Sequence, residues 1–176
     1  METIDLESVL RKCIVTNHFF QGVHSADNVK YTPEDDFPQF CIVNTDLAKD
    51  SGEHWLVFYF PRLNAVEVFD SMGMAPYAYP NLINFFNTFD GKVFHNNAPV
   101  QGDTSNVCGV HCLFFVFKKI VNNNALSMKQ IIKKYYTTDV NLNDCMVMDF
   151  LQKHFDVIQP PTIKRLEKSV KCKSKK

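Results

Sequence analysis

Residues 54–60 read HWLVFYF, and from Trp55 onward both the odd and the even positions are apolar. Successive side chains of a strand point to opposite faces, so such a strand must be covered on both sides. That requirement makes the segment the centre of a sheet with layers packed above and below it. Pro61-Arg62-Leu63 follows, and then a second strand-like run, NAVEVFD, at 64–70. The pair predicts a β-hairpin. FCIVNT (40–45) and KVFH (92–95) supply two further strands, while residues 21–38, rich in Gly, Asn, Asp and Pro, read as loop.

The remaining segments carry helical spacing. Leu6, Val9, Leu10 and Cys13 follow Thr3, a suitable N-cap, and Leu82, Ile83, Phe86 and Phe89 follow Pro80. A helix beginning near Cys108 runs through LFFVF and is too apolar for a surface position; Asp103, Thr104, Ser105 and Asn106 offer caps for it. Ser127 and Gln130 fit a capping box with Leu126 and Ile131 as its staple, and Asn143 can cap a last helix through Met146, Val147, Phe150 and Leu151. The expected class is α+β, a small central mixed sheet flanked by helices, with the Cys108 helix buried.

At 176 residues the chain can bury a core of its own, and sixteen Phe among 45% hydrophobic residues argue against disorder. No apolar run approaches the roughly 20 residues of a membrane span, and residues 1–13 lack a signal-peptide pattern. An intracellular, reducing compartment is expected. The six cysteines (13, 41, 108, 112, 145, 172) form no Cys-x-x-Cys pair, so most are expected to be small buried apolar groups. The formal net charge of zero hides an asymmetry. Residues 164–176 hold seven of nineteen basic and one of nineteen acidic residues, a net +6, against −6 for the rest. Pro160-Pro161 marks the expected boundary between one folded domain (1–161) and a basic tail (162–176).

Cys108 sits where seven mostly small or polar residues (QGDTSNV) give way to the apolar helix. At a helix N-terminus the unpaired N–H groups and the dipole favour thiolate over thiol, and a nearby imidazolium adds to this. If the hairpin loop is residues 61–63, Phe60 faces Asn64 and His54 falls directly opposite Asp70. Opposed Cβ atoms lie about 4.5–5.5 Å apart, within reach of an imidazole–carboxylate hydrogen bond. A four-residue loop would set His54 against Ser71 instead. Glu67, the nearest other acid, should point to the opposite face. Backbone N–H groups at the helix start, with the Gln101 amide, could form an oxyanion hole.

Two other readings stay open on these residues. Cys108, His111 and Cys112 share one helix face at metal-ligand spacing, although no second paired motif supplies the fourth ligand that a tetrahedral site needs. His111 could also replace His54 as the base, though no orienting acid is evident beside it. The seven basic residues of the tail (Lys164, Arg165, Lys168, Lys171, Lys173, Lys175 and Lys176) are consistent with a nucleic-acid-binding arm or with a solubilising end.

IVNTDLAKDSGEHW (42–55), VFDSMG (68–73) and QGDTSNVCG (101–109) together resemble the adenovirus-type cysteine proteases, in the superfamily that includes the SUMO- and NEDD-removing proteases. The likeness is greatest to proteases of Polinton or Maverick elements and related viruses. It implies a papain-like fold with Cys108 as nucleophile, His54 as general base and acid, Asp70 orienting it and Gln101 in the oxyanion hole. It also implies cleavage of capsid and core precursors beside small residues, an acyl-enzyme, no cofactor in the chemistry, residence in nucleus and virion, and DNA or a basic peptide as activator. Two departures stand out. Adenovirus proteases have Glu at the Asp70 position, and they tether their activating peptide through a Cys upstream of the Gln, whereas this chain has no Cys between Cys41 and Cys108. Removal of ubiquitin-like modifiers is the alternative activity within the superfamily, and a non-catalytic metal- or nucleic-acid-binding module is the alternative outside it.

Overall fold

The computed structural model describes residues 3–31, 37–155, 160–170 and 172. Five strands, β1 (Phe20–His24), β2 (Gln39–Asn44), β3 (Trp55–Arg62), β4 (Ala65–Asp70) and β5 (Lys92–His95), form one sheet in chain order. β3 runs antiparallel to both β2 and β4, and the edge strands β1 and β5 pair in parallel with β2 and β4 respectively. The helices are α1 (Thr3–Lys12), α2 (Ile83–Thr88), α3 (Cys108–Val121), α4 (Met128–Tyr135), α5 (Val140–His154) and α6 (Pro160–Ser169). This is the α+β class, with helices on both faces of a mixed sheet.

β3 is the middle strand and is buried from Trp55 to Phe60. Its alternation divides the interior into two cores. Trp55, Val57 and Tyr59 face the larger one, shared with α1, α3, α4, α5 and Leu166 of α6. Leu56, Phe58 and Phe60 face the smaller one, closed by Leu82, Phe85 and Phe86. α3 is the buried helix that its composition requires, and Phe115 on it stacks against Phe69 of β4 with ring centroids 4.3 Å apart. That contact fixes the end of β4, where Asp70 sits, relative to the helix that begins with Cys108. The Ser127–Gln130 capping box of α4 is formed, and Leu126 and Ile131 both pack on the larger core.

The hairpin register differs from the three-residue loop. Leu56, not His54, faces Asp70, and Arg62 faces Ala65 across a two-residue turn in which Asn64 adopts φ 58°. Pro61 reads locally as a turn residue, but here it lies in the stretch of β3 between Tyr59 and Arg62 where the register shifts, a place that tolerates a missing N–H. The slip is two residues, so His54 stays on Asp70's face as its diagonal neighbour.

Other elements depart from expectation for local reasons. β1 occupies part of the loop expected at 21–38; it is an edge strand with an irregularity near Gly22 (φ 134°) and has little pattern to read. α5 starts at Val140 because Asp139, rather than Asn143, caps it, accepting from Asn141 N and Leu142 N at 3.1 Å each. None of residues 103–106 caps α3, whose N-cap is Val107 with no side-chain hydrogen bond. Cys41 and Cys112 are buried apolar groups as expected, but Cys145 and Cys172 form a disulfide across 27 residues.

The segment expected to be a solvated tail from residue 162 is helical to Ser169. Leu166 is fully buried and Ser169 Oγ accepts from Asn106 N at 3.1 Å. Lys164 and Lys168 are exposed on this helix; the side chain of Arg165, and Lys171, Lys173, Lys175 and Lys176, lie outside the described residues.

Candidate active site

Three elements end together at one edge of the sheet. His54 immediately precedes β3, with its carbonyl accepting from Thr45 N at 3.0 Å; Asp70 ends β4; Cys108 begins α3. His54 Nε2 lies 2.6 Å from Asp70 Oδ1, and the Cys108 thiol stands on the ring's other side, close enough to act on its pKa. With Nε2 committed to the carboxylate, Nδ1 is the nitrogen left for the sulfur. A cleft of about 940 Å³ opens over these groups, lined among others by Asn44, Trp55, Met72, Gln101 and Leu166.

Asp70 is 1% exposed, and every neighbour of its carboxylate donates to it. Besides His54, Oδ1 accepts from Met72 N at 2.8 Å; Oδ2 accepts from Met74 N at 3.0 Å and Tyr79 OH at 2.6 Å. Burial opposes its ionisation, but the His54 hydrogen bond and charge, with these other donors, hold the carboxyl below its ordinary value. Asn96 fixes the backbone there, its Oδ1 accepting from Asp70 N at 2.9 Å and its Nδ2 donating to Asp70 O at 2.6 Å.

The same balance acts on the other two groups. Burial alone would lower the His54 pKa, but the hydrogen bonds and charges of Asp70 and Cys108 outweigh it and carry the imidazole up to about 9. Burial alone would raise the Cys108 pKa, but the His54 hydrogen bond and charge, with the Trp55 backbone N–H, bring it below the ordinary 9.0. The cysteines of the interior are thus separated by environment. Cys41 is pushed up to about 12 by burial, and Cys112 well above 9.0 by burial and by the charges of Cys108 and Asp70. Only a thiol paired with an imidazole favours the thiolate–imidazolium state.

Gln101 is buried beside the cleft. Its Oε1 accepts from Ser71 Oγ at 2.7 Å, and its Nε2 donates to Ser105 O at 2.8 Å. An amide nitrogen carries two hydrogens, so one remains for another acceptor. The uncapped start of α3 contributes N–H groups with no intrahelical partner. Gln101 and Cys108 line the same cleft.

The structure brings together His54, Asp70, Cys108 and Gln101. It does not converge Cys108, His111 and Cys112. Cys112 Sγ donates to Trp55 O at 3.4 Å, and His111 turns inward to Asp144, with Nε2 2.9 Å from Oδ1. His111 therefore has an orienting acid, contrary to expectation, but both groups are fully buried. Among the described residues no group of three or more His, Cys, Asp and Glu could hold a metal ion. Sequence reasoning missed Tyr79, Asn96, Ser71 and Asp144. Only Ser71, adjacent to the acid, carries a local signal; the others reach the site from distant segments.

No protein-family profile matches the chain, and no curated protein does. Among solved structures, the ASFV pS273R protease is similar over 90% of this chain and 68% of that one, with 15% identity and a TM-score of 0.48. The central domain of the uncharacterized Lpg1148 protein from Legionella pneumophila is similar over 89% of this chain and 98% of that one, again with 15% identity and a TM-score of 0.48.

Proposed function

We propose that the chain is a cysteine endopeptidase working through Cys108, His54 and Asp70. The observation that carries this reading is the 2.6 Å contact of His54 Nε2 with the buried Asp70 carboxylate beside the Cys108 thiol, in one cleft, with the cysteine's pKa lowered and the histidine's raised. In this mechanism the Cys108 thiolate attacks the scissile carbonyl, and the resulting oxyanion is held by the α3 N-terminus and Gln101 Nε2. His54, already protonated, gives its proton to the leaving amine. It then takes a proton from the water that hydrolyses the thioester, and Asp70 keeps the ring's orientation and stabilises its charge throughout.

The sequence motifs support precursors of capsid and core proteins, of viral or mobile-element origin, as substrates, with no cofactor in the chemistry. They also support residence in nucleus and virion, and DNA or a peptide as activator. Incubation with a peptidyl electrophile, followed by mass mapping, should label Cys108 in the wild type. Cys108→Ala should abolish peptide cleavage while the protein stays folded, because the sulfur's task is chemical. Cleavage surviving in Cys108→Ala would refute the reading. Faster processing of a folded modifier ending in Gly-Gly than of short peptides would assign the same chemistry to deconjugation.

A further inference from the structure

Asn143 and Asp144 lie near the start of α5, both essentially buried, and both reach the loop that carries Gln101. Asn143 Nδ2 donates to Val100 O at 3.0 Å, on one side of Gln101. Gly102 N, on the other side, donates to Asp144 at 3.2 Å to Oδ2 and 3.4 Å to Oδ1. The peptide groups flanking Gln101 are thus both held from α5. Asp144 has a second attachment, His111, which stands on α3 one turn beyond Cys108 and meets Oδ1 at 2.9 Å. Burial keeps His111 below its ordinary 6.5, so the neutral ring donates from Nε2 while Nδ1 faces Tyr136 OH at 3.4 Å. The fit is close: a Cβ at Gly102 would come 2.9 Å from Asp144 Oδ2 and 3.1 Å from Asn141 Oδ1.

A buried carboxylate is a costly way to join a helix to a loop when apolar packing would serve. Here it links the helix bearing the nucleophile to the loop bearing the oxyanion donor, two parts whose separation sets how well a tetrahedral oxyanion is held. We propose that Asp144, assisted by Asn143, is a positioning residue that ties the Gln101 amide to the Cys108 helix through His111. The proposal rests on the cysteine protease reading above.

Two reactions of Cys108 separate positioning from general support. Acylation by p-nitrophenyl acetate passes through a tetrahedral oxyanion, forming the acetyl thioester and releasing p-nitrophenolate. Alkylation by iodoacetamide displaces iodide at a saturated carbon, needs the thiolate, and forms no such oxyanion. Asp144→Ala should slow acylation about 10-fold or more while leaving alkylation and its pH profile within about twofold, as expected for a weakened oxyanion donor. Asp144→Asn should recover part of the loss, because its oxygen can still accept from Gly102 N and its amide can donate to the other His111 tautomer. Gly102→Ala, which displaces the carboxylate without deleting it, should show the same selective loss to a smaller degree. It decides the matter if Asp144→Ala does not fold. Equal loss of both reactions, or of neither, in the folded variants would overturn the proposal. Wild-type Cys108 alkylating no faster than Cys13 would instead overturn the cysteine protease reading, and the positioning role with it.

Discussion

Replacing Asp70 with Asn keeps the shape of the side chain and removes its charge. The asparagine can keep its oxygen on His54 Nε2 and Met72 N, which turns its Nδ2 towards Tyr79 OH and Met74 N. The tyrosine hydroxyl can rotate to accept, but the part-buried Met74 N–H cannot and must turn to water. The larger effect falls on His54. Burial lowers its pKa, and Asp70 with Cys108 raises it from 6.5 to about 9. That net rise corresponds to about 3 kcal/mol favouring the imidazolium, so turnover should fall by on the order of 100-fold or more. The alkaline limb of kcat/KM should move down from near 9 towards 6.5. Because the folded value lies above the unfolded one, the pairing contributes stability that is complete below 6.5 and lost as pH rises through about 9. Urea denaturation should therefore show a wide gap between wild type and Asp70→Asn at about pH 6 and a narrow one at about pH 10. An unchanged alkaline limb, measured on a fluorogenic peptide, would refute the assignment of Asp70.

Cys112→Ala should retain peptide cleavage, since its sulfur faces Trp55 O, while losing about 1–2 kcal/mol in urea denaturation as a fully buried group. Inactivity matching Cys108→Ala would revive the metal reading. The Cys145–Cys172 bond closes a 27-residue separation, so Cys145→Ser, or reduction of the wild type, should lower stability by up to about 3–4 kcal/mol. Identical denaturation midpoints with and without reductant would contradict this. If the basic C-terminal segment binds DNA, its seven cationic residues predict a log–log salt slope of magnitude about 6, and Lys164→Gln with Lys168→Gln should reduce it by about 1.8. Charge replacement is the sound test, because truncation at residue 162 would also remove Leu166 from the core. A slope unmoved by the double replacement would exclude these two lysines as phosphate contacts.

The features legible from sequence are those encoded by local pattern. Two-sided apolarity marked β3 as the middle strand, the apolar run after Cys108 marked α3 as the buried helix, and His54, Asp70, Cys108 and Gln101 stood at element boundaries within short motifs. The hairpin argument reached the right pair through the wrong register. Strand side chains repeat every two residues, so a two-residue slip preserves the face and loses only the direct opposition. What the tertiary structure decided depends on distant segments meeting. Tyr79 reaches Asp70, Asp144 reaches both His111 and Gly102, Cys172 reaches Cys145, and Leu166 completes the larger core. No local signal distinguishes Asp144 from a surface carboxylate near the start of a helix. Its burial, and with it the value of its two hydrogen bonds, exists only once α5 is packed between the Gln101 loop and α3, where water no longer competes for its oxygens.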